Sequence, residues 1–187
     1  MTLGHTADVG RAAAEALATL VPDVADFPEP GIVFKDITPL LADPAGLRAV
    51  VDALAEVGRR DGEVVVDKVV GMEARGFILA APVALALGVG FVPVRKAGKL
   101  PRETHAVSYA LEYGEATLEL HRDAIAPGER VLLVDDVLAT GGTVAATRDL
   151  VAACGGTATA VAVLMELSFL PGRAAVGDLP VHALTTV

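Results

Sequence analysis

The sequence predicts an α/β fold, a central and mostly parallel sheet flanked by helices. Three observations carry that prediction. Short apolar runs rich in β-branched residues lie at 64–71, 89–94, 131–134 and 158–164, each of strand length. Longer apolar-periodic segments follow two of them and end near Leu87 and Cys154. The junctions between such runs and segments are strand-to-helix corners, the unit from which open α/β sheets are built.

Composition sets the outer bounds. The 187 residues are 53% hydrophobic but only 4% aromatic, so Ala, Val and Leu must build the core. A chain of this length is expected to be one domain, 1–187. The net charge of -9 argues against nucleic acid or an anionic membrane as the main partner. A single cysteine, Cys154, excludes an internal disulfide. The first residues lack a basic start followed by an apolar core, and no run approaches membrane-spanning length. A cytoplasmic protein is the expectation.

Taken in order, Ala7 to Val21 reads as an amphipathic helix ended by Pro22. Phe27 to Pro39 contains three prolines and Gly31, a stiff and irregular path. Its apolar side chains are suited to line a pocket for a flat ligand, with Phe27 and Ile37 expected to pack on the core. Asp43-Pro44 opens a helix whose Leu47, Val50, Val51, Leu54 and Val57 share one face as far as Arg60. Val64 to Gly71 is a strand. It feeds the corner Met72 to Phe77, with Arg75 in the turn, and a helix through Leu87.

Val89 to Val94 is the next strand, ending in Arg95-Lys96. Five of the 15 basic residues (Arg75, Arg95, Lys96, Lys99, Arg102) fall between 75 and 102. An acidic protein that handles a highly anionic substrate needs such a local positive region. Gly98 and Pro101 after a strand point to a flap. Ser108 to Glu112 and Ala116 to His121 then flank Tyr113-Gly114-Glu115 as a hairpin. Pro127-Gly128 turns the chain into V-L-L-V-D-D-V-L-A-T-G-G-T, residues 131–143. Ala158 to Leu164 is a buried strand leading to Glu166 and Leu167, and Val181 to Val187 a terminal one. The four histidines share no ligand spacing and are read as non-metal residues.

The 131–143 stretch carries the chemistry. Asp135 and Asp136 fall at the carboxyl end of a strand, where open α/β sheets bind ligands. Ala139, Thr140, Gly141, Gly142 and Thr143 fall at a helix N-terminus, with unpaired N–H groups and partial positive charge. This combination is a phosphate cradle beside two carboxylates. Carboxylates accept hydrogen bonds from sugar hydroxyls and hold a divalent cation through water, so a ribose 5-phosphate satisfies both halves. No Walker lysine follows Gly142.

This stretch resembles the phosphoribosyl pyrophosphate (PRPP) binding motif of the type I phosphoribosyltransferases. The segments 27–39 and S-Y-A-L-E-Y-G, residues 108–114, are similar to those of the family's adenine-using branch. The resemblance covers about Phe27 to Leu170. It implies the type I phosphoribosyltransferase fold, with an N-terminal hood over 1–40 and a flap and hairpin over 95–121. It also implies transfer of the phosphoribosyl group from PRPP to adenine, giving AMP and pyrophosphate, with Mg2+ bound alongside PRPP and a homodimeric assembly.

Residue by residue, the resemblance assigns the 5-phosphate to 139–143 and the ribose to Asp135 and Asp136, with Mg2+ nearby and no direct side-chain ligand. It assigns pyrophosphate to Glu73, Ala74, Arg75, Arg95, Lys96 and Lys99. A non-proline cis peptide is frequent in the family at the bond that here is Glu73-Ala74. Val33, Phe34, Lys35 and Leu167 would border adenine, Glu112 and Arg75 would be catalytic, and Tyr113 would close the flap. Related 6-oxopurine enzymes have a lysine near Glu166, so an acid there argues against hypoxanthine or guanine. Two other readings stay open: a phosphoribosyltransferase for xanthine or orotate, and a regulator that senses PRPP without turnover.

Overall fold

The computed structural model describes residues 3–110 and 114–187, the side chains from residue 7 onward. The chain divides into two compact units, 1–53 and 54–187. Each is described by itself.

The first unit begins with α1 (Leu3–Leu20), whose Ala13, Ala16 and Leu17 are buried. Pro22 lies beyond its end, as the sequence indicates. The proline-rich stretch that follows is more regular than expected. Asp23–Ala25 (β1) and Val33–Lys35 (β2) pair as an antiparallel hairpin. Asp26 Oδ1 accepts the Gly31 N–H at 2.8 Å, and Lys35 Nζ meets Asp23 Oδ1 at 2.5 Å across the strands. The Phe27-Pro28 bond is cis.

Phe27 corrects one expectation. The residue is 51% exposed and its ring packs edge-on against Phe34 at 5.1 Å, because it sits at the hairpin's tip rather than on its core side. Ile37 is buried as expected. The Asp36 carboxylate accepts the N–H of Thr38 at 2.9 Å and also bonds its hydroxyl, at the start of α2 (Thr38–Ala42). The helix α3 (Pro44–Glu56) starts at Pro44, where the Asp43 carboxylate accepts the Gly46 N–H at 2.6 Å. This satisfies one of the orphan donors of a helix start.

In the second unit α3 stops at Glu56, short of the expected Arg60. Arg59–Arg60 (β3) instead pairs with Glu63–Val64 (β4) around a tight turn. Asp61 and Gly62 both adopt positive φ there, which ends a helix and favours a hairpin. The strand expected from Val64 therefore begins later, as β5 (Lys68–Met72). It runs into α4 (Arg75–Leu87), β6 (Gly90–Lys96), β7 (Thr104–Ala110) and β8 (Glu115–His121). Next come β9 (Arg130–Leu138), α5 (Gly142–Ala153), β10 (Thr157–Glu166), α6 (Gly172–Val176) and β11 (Val181–Thr186).

Among the described residues, seven strands form one sheet in the order β11-β10-β9-β5-β6-β8-β7. The five from β11 to β6 are parallel, and the β7–β8 hairpin joins antiparallel at one edge. Val131 to Val134 are fully buried, as a strand covered on both faces requires. At the amino ends of β5 and β9, Arg130 grips the Asp67 carboxylate through two bonds of 3.0 Å. Those side-chain bonds, and the Arg130 N–H at 2.8 Å, bring the Asp67 pKa down to about 2.

The chain leaves β5 towards β6 on one side, and β9 begins the other half of the sheet beside it. This is the topological switch point, and ligands of open α/β sheets bind at the carboxyl ends of the strands there.

Candidate functional site

Two strand-to-helix corners meet at that switch point. β5 and β9 pair up to Gly71 opposite Val134. Past that point β9 continues to Leu138, paired among the described residues with β10 alone. The strand is longer than the apolar run that announces it, and Asp135 and Asp136 lie in its carboxyl-terminal part, as the sequence indicates, with Val137 and Leu138 still to follow. Losing the β5 partner is what opens space beside them.

A pocket of about 230 Å³ occupies this space. Glu73, Ala74 and Arg75 line it from the first corner, and Asp135 to Gly141, Thr143 and Val144 from the second. Most of the expected phosphate, ribose and pyrophosphate residues thus share one cavity. Gly142 does not line it, and Arg95, Lys96 and Lys99 lie outside its wall. Glu112 and Tyr113 fall outside the described residues.

The first corner is fastened by charge. The Glu73-Ala74 bond is cis, at the position the family resemblance indicates. The Glu73 carboxylate accepts the Lys96 N–H at 3.0 Å and Arg95 Nε at 3.3 Å. The Lys96 N–H above all holds the Glu73 pKa below its ordinary value. Arg95 in turn donates to the Lys99 carbonyl at 3.2 Å. Three of the expected pyrophosphate residues outside the cavity wall are therefore linked to Glu73, directly or through Arg95. Arg75 Nε lies 3.0 Å from Asp136 Oδ2, which joins the two corners across the cavity.

The two carboxylates differ. Asp136 is 5% exposed and paired with Arg75. Asp135 Oδ1 accepts the Asp136 N–H at 2.9 Å. Burial, and then the charge of Asp136, push the Asp135 pKa well above the ordinary carboxylate range. Gly76 is required here, since a Cβ at that position would stand 2.8 Å from Asp135 Oδ1.

The second corner is fastened by shape. Gly141 caps α5 at φ +82°, and no described side chain caps the helix. Its first amides are therefore available to an anion. A Cβ on Gly141 would lie 2.5 Å from the Gly172 carbonyl and 2.8 Å from Ala175 Cβ. The short helix α6 thus stands directly behind the loop. Two arginines hold it there. Arg173 forms a two-pronged pair with Glu166 at 2.6 and 2.7 Å, and Arg148 donates to the Val176 carbonyl at 3.2 Å. The sequence presents Glu166 only as an acid in place of a lysine. Its partner and the place of α6 behind the cradle are not legible there, because an acid seven residues before an arginine is too common a spacing to signal them.

The two glycines of the corner are each closely faced by another part of the chain. In the structure Gly141 makes room for α6, and Gly142 makes room for Tyr109 of β7, whose Cδ2 would lie 2.8 Å from a Cβ. Leu167, half-buried, donates its N–H to the Leu138 carbonyl at 3.0 Å. In the first unit Val33 is 58% exposed, Phe34 packs on Phe27 and Lys35 pairs with Asp23.

A mostly parallel sheet with a strand-to-helix corner on each side of its switch point, an uncapped helix start and two acids in one cavity is the arrangement that the resemblance of residues 131–143 to the phosphoribosyltransferases implies. Residues 36–171 match the phosphoribosyl transferase domain family, and the chain belongs to that family. It is 73% identical over 174 residues to the adenine phosphoribosyltransferase of a Nocardioides species, covering 92% of this chain and 94% of that protein. The crystal structure of the Rhodothermus marinus adenine phosphoribosyltransferase is 50% identical with a TM-score of 0.86, covering 95% of this chain and 99% of that one. The Saccharomyces cerevisiae enzyme, solved with an imino-altritol bisphosphate and adenine, is 40% identical with a TM-score of 0.86, covering 93% and 99%. The fold is the type I phosphoribosyltransferase fold, with a mixed seven-stranded sheet.

Proposed function

We propose that this chain transfers the 5-phosphoribosyl group from PRPP to adenine, giving AMP and pyrophosphate. The observation that carries the reading is the shared cavity, where an uncapped helix start, two acids and an arginine-bearing corner face one another. High identity to adenine phosphoribosyltransferases across most of the chain supports adenine as the acceptor.

Residues 139–143 hold the 5-phosphate on the α5 amides and the Thr140 and Thr143 hydroxyls. Asp135 and Asp136 accept hydrogen bonds from the ribose hydroxyls. Glu73, Ala74 and Arg75 bind the pyrophosphate, with Arg95, Lys96 and Lys99 adding positive charge. In the reaction the bond from C1 to the pyrophosphate oxygen breaks, and its electron pair leaves with pyrophosphate. Adenine N9 forms the new bond to C1. Val33, Phe34, Lys35 and Leu167 border the adenine, Glu112 hydrogen-bonds N7 and handles the proton, and Tyr113 closes over the site. Positioning and preorganised charge supply most of the rate.

The described residues contain no cluster of three or more His, Cys, Asp or Glu suited to a metal. Asp135 and Asp136 are oxygen donors that suit Mg2+ arriving on a phosphate substrate, and Mg2+ bound there would neutralise charge on the leaving group. The working form is a cytoplasmic homodimer in which residues 1–187 act as one catalytic domain, with 1–40 as hood and 95–121 as flap. The test is nucleotide formation from PRPP and Mg2+ with adenine, hypoxanthine, guanine, xanthine and orotate in parallel. Turnover with adenine alone is expected. Turnover with another base overturns the acceptor, and PRPP binding without any turnover makes the chain a sensor.

A further inference from the structure

We infer that Tyr109 is a positioning residue for the phosphate cradle, acting through the Thr143 hydroxyl. This inference rests on the proposed function. Tyr109 Oη lies 3.0 Å from Thr143 Oγ1. The ring of Tyr109 covers Gly142, where a Cβ would stand 2.8 Å from Cδ2. Two consecutive residues of the cradle are thus shaped by one side chain 34 positions away in sequence.

The chemistry of the contact gives it a direction. A threonine hydroxyl has one proton and two acceptor sites. A phosphate dianion only accepts, so Thr143 must donate to it. When the Tyr109 phenol donates to Thr143 Oγ1, the threonine proton is left for the ligand. The Thr143 main chain is fixed from the other side, because Thr147 Oγ1 donates to its carbonyl at 2.7 Å. Tyr109 therefore acts on the side chain, holding Thr143 Oγ1 in place and orienting its hydroxyl proton. It does so from β7, opposite Ala116 of β8. The hairpin that carries Glu112 in sequence is thereby tied to the cradle.

The experiment is a cycle of Tyr109→Phe, Thr143→Val and the double variant, with Thr143→Ser as a second background. Phenylalanine keeps the ring on Gly142 and removes only the hydroxyl. The readouts are ribose 5-phosphate affinity by calorimetry, which needs no turnover, and KM for PRPP against kcat with adenine. Tyr109→Phe is expected to weaken ribose 5-phosphate and raise KM about tenfold, a change of ~1.4 kcal/mol, with kcat within about twofold. The double variant is expected to bind no more weakly than Thr143→Val alone, while Tyr109→Phe again costs about tenfold in the Thr143→Ser background. Wild-type affinity in Tyr109→Phe, or penalties that multiply in the double variant, would overturn the inference. Failure of the wild-type protein to bind ribose 5-phosphate would overturn the functional reading itself, and that result is visible before any variant is made.

Discussion

The two corners of the site solve the same geometric problem in opposite ways. At the β5–α4 corner the turn is held by ion pairs, Glu73 to Arg95 and Arg75 to Asp136. At the β9–α5 corner the acids give way to small residues, and the loop is held by contact with α6 and Tyr109. Charged fastenings can be exchanged for a charged ligand at modest cost. A loop wedged between Gly172 and Tyr109 has one shape, and its amides are aimed before any ligand arrives. In the proposed reaction the first corner holds the group that departs, and the second holds the group that stays.

The sharpest way to break this contrast is Gly141→Ala. The new Cβ meets the Gly172 carbonyl, and the φ of +82° is strained for any L side chain. A loss of about 1–3 kcal/mol in stability is expected, with PRPP use falling at least about a hundredfold. Thermal unfolding and KM measure the two. Asp135→Asn with Asp136→Asn should lower kcat/KM for PRPP by about a hundredfold, with the circular dichroism spectrum unchanged. Wild-type turnover there removes the ribose role.

Glu73→Gln should act on the other corner alone. About tenfold in kcat/KM is expected from the loss of a charged hydrogen-bond acceptor. Ribose 5-phosphate affinity should stay at its wild-type value, and a parallel fall in that affinity would show that the corners are not separate.

The smallest effect belongs to Glu166→Gln, behind the cradle. The Arg173 side chain is more than half exposed, so screening limits the pair to about 0.5–1 kcal/mol. Arg173 also holds the Glu166 pKa below its ordinary value of 4.5. A depressed carboxylate stabilises the fold above the unfolded value and loses that contribution as pH falls through the folded one. Wild-type and Glu166→Gln melting temperatures should therefore differ at neutral pH and converge below pH 4.5.

The two corners are legible in sequence because each is local. An apolar run, an acid or arginine, and a helical period lie within a short stretch of consecutive residues. The same locality places Ile37 in the interior and ends α4 at Leu87. Where sequence and structure differ, each difference has its own cause. Arg59-Arg60 continues a helical pattern by composition, and only the positive φ at Asp61 and Gly62 turns it into a strand. Prolines hide the β1–β2 hairpin, whose strands are three residues each. Asp135 and Asp136 look like the end of a strand because polarity changes there, whereas backbone pairing to β10 carries on to Leu138. What shapes the cradle cannot be read from sequence at all. Tyr109 touches it directly and Arg173 acts through α6, by contacts that no local period records.

The helix behind the cradle has a consequence for how the protein is made. Gly141 leans on Gly172, which lies well downstream of it in the chain. As the polypeptide is synthesised, β5 and β9, the two strands that flank the switch point, are complete before that glycine is translated. A nascent chain halted ahead of Gly172 would hold its two acids and its arginine but have no backing for the loop at Gly141. The loop therefore gains its backing only after α6 has been translated and has folded against it.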